Sequence, residues 1–185
     1  MERPLSQFRF AKFSFSLRVE SPITLPAYKG STFRGAFGHA FKKVVCVNRG
    51  KDCDSCLLKG KCVYSYVFET PPPSDSSKMR KYPFAPHPFI ITPPLEEKRD
   101  YQIGESFSFE LTLIGKSIDY LPYFIYTFDE LGRIGIGKGK GKYHLKKVKS
   151  ERPKVKGENI IYSGEDKTLK NDFNILNVSD LLPYT

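Results

Sequence analysis

Apolar residues in this chain recur with two different periods, and the alternation of those periods predicts an α+β fold. Blocks of period two lie near residues 11–19 and 107–113, while apolar residues three and four apart mark 33–45 and 121–131. A tract of alternating glycine and lysine follows the second helical block directly.

The first strand is read from Ala11, Phe13, Phe15, Leu17 and Val19, which alternate with Lys12, Ser14, Ser16, Arg18 and Glu20 and so give one buried face. Pro22 and Pro26 punctuate the connection. Ser31 is a candidate cap for a first helix, whose Phe33, Ala36, Phe37, Ala40, Phe41, Val44 and Val45 share one face. Gly35 and Gly38 each cost that helix about 1 kcal/mol against alanine, so a backbone or ligand is expected close by. Residues 63–68 (VYSYVF) and 88–92 (PFIIT) read as two further strands, with the proline- and serine-rich 71–81 as a loop between them. Phe107, Phe109, Leu111 and Leu113 form the next strand. A second helix begins from a cap at Ser117 or Asp119 and aligns Leu121, Phe124, Ile125, Phe128 and Leu131; Pro122 falls in its first turn, where it is tolerated. Residues 143–149 (YHLKKVK) close the set. The order is β-α-β-β-α-β, the ferredoxin-like (RRM-like) arrangement, with four cysteines inserted after the first helix and one sheet face left open for RNA. This domain is expected over 1–150, and 151–185 reads as a linker or as the start of a second, truncated domain.

Leu131-Gly-Arg-Ile-Gly-Ile-Gly-Lys-Gly-Lys-Gly-Lys142 is the most informative stretch. Gly135, Gly137, Gly139 and Gly141 free the backbone for close approach, and Arg133, Lys138, Lys140 and Lys142 supply charge. From Gly132 to Lys149 no Asp or Glu occurs. The tract fits neither G-x-x-x-x-G-K-[ST] nor G-x-G-x-x-G, which favours a nucleic-acid backbone over a nucleotide cofactor. The competing reading is a flexible basic linker.

Composition agrees. A net charge of +10 and a pI near 9.4 point to nucleic acid, and no basic amphipathic helix argues for a membrane surface. Fifteen Phe and eleven Tyr among 185 residues supply a core and argue against wholesale disorder. With no signal-like apolar run near the start, a soluble cytoplasmic protein is expected.

Cys46, Cys53, Cys56 and Cys62 are the four cysteines, spaced x6, x2 and x5. Four thiolates this close suit a closed, structural zinc site, with an iron–sulfur cluster as the alternative and unliganded or disulfide-bonded cysteines as the plain one. No paired carboxylates or Asp/His cluster suggest a catalytic metal, and no G-x-S-x-G is present. Metal-free RNA cleavage, in which the 2′-hydroxyl attacks the neighbouring phosphate, needs a base, an acid and positive charge. His39, with Lys42 and Lys43 at i+3 and i+4, is the candidate trio. A surface histidine on a phosphate-binding helix is the alternative. His87, between two prolines, reads as an exposed loop residue, and His144 lies among lysines of the closing strand.

Leu25-Pro-Ala-Tyr-Lys-Gly-Ser-Thr-Phe-Arg-Gly-Ala-Phe-Gly-His-Ala-Phe41 resembles the first-helix motif of the CRISPR-associated RAMP proteins, in particular the branch that processes precursor CRISPR repeat RNA. The cysteine insertion running into Cys62-Val-Tyr-Ser-Tyr-Val-Phe-Glu-Thr-Pro71, Tyr101-Gln-Ile-Gly-Glu-Ser-Phe107 and the glycine tract are similar to that branch too. The resemblance covers roughly 8–150. It implies a ferredoxin-like N-terminal domain, binding of CRISPR repeat RNA, and metal-independent endoribonuclease activity leaving a 2′,3′-cyclic phosphate, with His39 at the family's catalytic histidine. Lys29 and Arg34 of the motif join the glycine tract as expected RNA contacts. A non-catalytic RAMP scaffold subunit holding crRNA in an effector complex is the other reading. Family members usually carry two such domains, so partner proteins or a missing second domain are implied.

Overall fold

The computed structural model describes residues 8–49, 52–72, 84–151 and 157–177. Most of the expected 71–81 loop, Gly50 and the last eight residues lie outside these.

The central strand is β1 (Arg9–Val19). Its Ala11, Phe13, Phe15, Leu17 and Val19 are buried, as the alternation requires. β1 pairs antiparallel with β5 (Ser106–Ile114) on one side and β6 (Tyr143–Ser150) on the other, so Phe109, Phe15 and Val148 fall on the same face. Beyond β5 lies β3 (Phe89–Thr92), and beyond β6 lie β7 (Asn159–Ser163) and β8 (Thr168–Leu169). A small separate pair joins β2 (Ile23–Thr24) to β4 (Asp100–Tyr101).

Helices α1 (Gly30–Val45) and α2 (Leu121–Ile134) cover the apolar face. Phe37 of α1 stacks on Phe124 at 5.1 Å and Phe128 at 4.9 Å of α2, and Phe128 meets Phe15 at 5.2 Å and Phe109 at 4.6 Å. Each such ring, fully buried, contributes about 1.5–3 kcal/mol from area alone. Offset and tilted ring pairs of this kind add to that figure. The antiparallel sheet with helices on one face is consistent with a ferredoxin-type fold.

Two expectations are corrected. Residues 63–68 are not a strand: the chain is helical there and tightens into a π-type turn over Ser65–Glu69, closed by the Thr70 N–H donating to the Ser65 carbonyl at 2.7 Å. The reason lies in which side chains α1 receives. Tyr64 and Phe68 stack on each other at 5.6 Å, a contact between residues four apart that helical winding provides, and they reach Phe41 and Phe37. Phe68 lies so close to Gly38 that a β-carbon there would collide with its ring, which accounts for that glycine.

The second correction concerns the break placed at residue 150. β7 pairs with β6, and β9 (Leu176–Asn177) returns to pair with Arg9 and Phe10 of β1. Phe173 packs edge-on against Phe13 at 5.6 Å, so 157–177 extends the same sheet. Strand pairing of this range depends on partners far away in sequence, which composition does not display.

Candidate nucleic-acid interface

The glycine tract is folded, not a loose linker. It turns back on itself through an Ile136–Gly141 bridge and lies against the preceding chain through a Thr24–Lys138 bridge. Gly135, Gly137 and Gly139 have φ of 93°, 75° and 81°, the left-handed side that glycine tolerates best. A β-carbon at Gly137 would collide with the Thr24 carbonyl and one at Gly141 with the Pro22 carbonyl; at Gly139 it would meet open space. The N–H groups of Gly135, Ile136, Lys138, Lys140 and Lys142 are used inside the fold. What the tract offers outward is charge: the Lys138, Lys140 and Lys142 side chains are exposed and have no carboxylate partner among the described residues. Arg133 differs, being paired with Asp129 at 3.0 Å and Glu130 at 2.6 Å.

Around α1 the predicted contacts separate. Lys29 is fully buried, and its ammonium donates to the Glu96 carbonyl at 2.5 Å and the Ala27 carbonyl at 3.3 Å. It ties the start of α1 to the segment before β4 and is not presented to a ligand, which corrects its assignment as an RNA contact. The trio His39, Lys42 and Lys43 is not drawn together either. His39 and Lys43 are exposed, whereas the Lys42 ammonium lies 5.2 Å over the Tyr64 ring and beside Cys53, whose thiol raises its pKa.

Arg34 is exposed but held. Its Nη2 donates to His87 Nε2 at 2.5 Å, and its guanidinium sits 5.6 Å over Phe68. His87 is half-buried between Phe68 and Phe89, with Nδ1 3.1 Å from Thr70 Oγ1, which in turn donates to the Ala85 carbonyl at 2.9 Å. This arrangement assigns the proton to Nδ1. Burial first, then the Arg34 charge, lowers the His87 pKa. Sequence reasoning passed over His87 because only the fold brings it to Arg34; its own neighbours, two prolines, signal nothing but a loop.

All four cysteines line one small pocket with Asn48, Tyr64 and Glu69. The C-x2-C step is a tight turn in which the Cys56 N–H donates to the Cys53 carbonyl at 3.2 Å, and Asn48 Nδ2 reaches Cys56 Sγ at 3.7 Å. Burial and the neighbouring Glu69 raise the Cys53 pKa. No three His, Cys, Asp or Glu side chains among the described residues stand in ligand range of a common point. Four thiols are the donor type that a thiolate-bound metal needs, but the side-chain positions stop short of a closed cage.

The open face of the three central strands carries Ser14, Ser16, Ser108, Glu110, Lys147 and Lys149 along its middle, with Phe10 and His144 on the same face toward the two ends of β1. Lys147 and Lys149 both pair with Glu158. No helix among the described residues is long and apolar enough to cross a membrane.

The family model described as AF_1859_N, N-terminal domain, matches residues 8–174. An uncharacterized protein of Archaeoglobus fulgidus is 27% identical over 147 residues, covering 80% of this chain and 47% of that protein. The chain thus spans about half the length of the curated relative it matches. Among solved structures, a chain of the Csm3-Csm4 subcomplex in the type III-A CRISPR-Cas interference complex superposes with a TM-score of 0.52 at 16% identity, covering 85% of this chain and 92% of that one. At that identity the likeness is one of fold alone. With the matched region running from the start of β1 past β8, the chain belongs to the family described as AF_1859_N, N-terminal domain.

Proposed function

We propose that this chain is a CRISPR-associated RNA-binding protein of RAMP type, built on a βαββαβ core with a cysteine insertion, which holds repeat-derived RNA within a larger assembly. The observation that carries the reading is the glycine-tract turn, which projects Lys138, Lys140 and Lys142 from a rigid backbone on a fold shared with a Csm3-Csm4 subcomplex chain. Lysines on a fixed scaffold bind a phosphate chain without reading its sequence, and the affinity falls with salt. Arg34, held by His87 and Phe68, adds a guanidinium whose remaining N–H groups suit a phosphate.

The second reading is metal-independent cleavage by 2′-hydroxyl attack. Its support is the exposure of His39 and Lys43 on the helix that also carries Arg34. Against it, Lys42 is directed to Tyr64 and Cys53, and His39 has no hydrogen-bond partner among the described residues to orient its ring. Labelled repeat RNA run on native and denaturing gels separates the two: retarded, intact RNA supports the binding subunit, whereas a cyclic-phosphate product lost in His39→Ala supports the nuclease.

Cys46, Cys53, Cys56 and Cys62 are proposed to hold a structural zinc ion, with an iron–sulfur cluster as the alternative, fastening the end of α1 to the 65–69 turn. The pocket that the four cysteines share supports this. With four sulfur donors no position remains for water, so the metal's role would be to stabilise the fold.

A further inference from the structure

A pocket of about 390 Å³ opens beside the 65–69 turn, within the usual range for small-molecule sites. Lys61 of the cysteine loop, Ser65, Tyr66 and Thr70 of the turn, and Lys116 and Tyr120 of the segment before α2 line it. Together their chemistry fits one kind of guest. Tyr66 and Tyr120 meet edge-on at 5.8 Å, and Tyr66 remains 36% exposed, leaving ring surface for a planar group. Lys116 lies 5.9 Å over the Tyr66 ring, and neither it nor Lys61 has a carboxylate partner among the described residues.

Ser65 belongs to the floor: it is 2% exposed, and its hydroxyl is sealed from the pocket as well as from solvent. An aromatic face and two ammonium groups without a carboxylate partner correspond to the face of a base and the flanking phosphates. We infer that this pocket takes a single unstacked nucleotide of single-stranded RNA, a site separate in its residues from the glycine tract. The inference rests on the RNA-binding reading above. Thr70, which lines the pocket and bonds His87, joins this site to Arg34.

The test uses two probes on the full chain, a short single-stranded RNA containing one 2-aminopurine and the 2-aminopurine ribonucleoside monophosphate alone. Stacking on Tyr66 quenches both. Tyr66→Ala removes the quenching and weakens RNA binding by about 5- to 150-fold, the range for one stacked base. Lys116→Ala weakens the monophosphate while leaving the melting temperature nearly unchanged, because Lys116 is an exposed side chain at the pocket rim. RNA bound by the wild type with affinity and quenching unchanged in both variants overturns the pocket and leaves the RNA reading standing. Tyr66-dependent quenching of the monophosphate by a protein that binds no RNA supports the pocket and overturns the RNA reading. Neither probe responding overturns both.

Discussion

Nη2 of Arg34 donates to Nε2 of His87 at 2.5 Å, joining α1 to the segment that enters β3 across 53 residues. Because burial and the Arg34 charge lower the His87 pKa, the folded protein keeps this imidazole neutral where the unfolded chain would protonate near 6.5. The stability it contributes is present above that value and is lost as pH falls through the lowered folded pKa. Phe68 and Phe89, the rings packed on His87, do not titrate. Thermal melts between pH 7.5 and 5.5 should therefore show a falling Tm that His87→Asn flattens. Asp54, Glu105 and Glu158 have lowered pKa values and act only below the ordinary carboxylate range, outside this window. Equal slopes in wild type and variant would remove His87 as the source.

Gly137 and Gly139 share a positive φ, and a side chain at either is strained for that reason alone. Only Gly137 faces the Thr24 carbonyl. Gly137→Ala should thus cost about 1–3 kcal/mol more than Gly139→Ala. At roughly 2–4 °C per kcal/mol, calorimetry resolves that difference readily. Similar melting temperatures would mean that the tract is not packed as described.

Lys29 and Lys138 belong to the same expected RNA surface, yet one is buried and one exposed. Lys29→Met leaves two carbonyls without their donor and should destabilise by about 1–3 kcal/mol, with RNA affinity of the folded fraction unchanged. Lys138→Ala with Lys140→Ala should do the reverse. The melt stays within about 0.5 kcal/mol. The slope of log affinity against log salt becomes shallower by about 0.7 for each phosphate that the missing lysines no longer neutralise. A salt series on both variants checks the pair.

A zinc-bearing insertion predicts roughly one zinc ion per chain by elemental mass spectrometry, reduced in Cys53→Ser and Cys56→Ser together with Tm. Iron with visible absorbance would favour the cluster instead. Wild-type protein that carries no metal and melts at the same temperature with and without added zinc would leave the cysteines without a ligand role.

Much of the core was legible because its elements advertise their own period. Phe13, Phe15 and Leu17 alternate, and Phe33, Phe37 and Phe41 recur every four residues, so each pattern is local and redundant. Residues 63–68 defeated the same reasoning. Six mostly aromatic and β-branched residues satisfy a strand template, and only the position of Gly38 on α1 reveals that Phe68 must be received there. The site was less legible than the fold. Lysine exposure at 138 and 140 follows from the alternation with glycine, but Lys29 looks no different in sequence and is consumed by the Glu96 carbonyl. His87 and Tyr66 acquire meaning only from residues brought to them by the chain's return.

The most direct test of the RNA-binding account is the affinity of the purified chain for single-stranded CRISPR-repeat RNA at about 50 and 200 mM salt, the interval over which phosphate contacts weaken strongly. The account predicts binding at the lower salt that falls steeply at the higher one and is reduced by Lys138→Ala with Lys140→Ala. Absence of binding at low salt, or binding indifferent to both salt and those lysines, would contradict it.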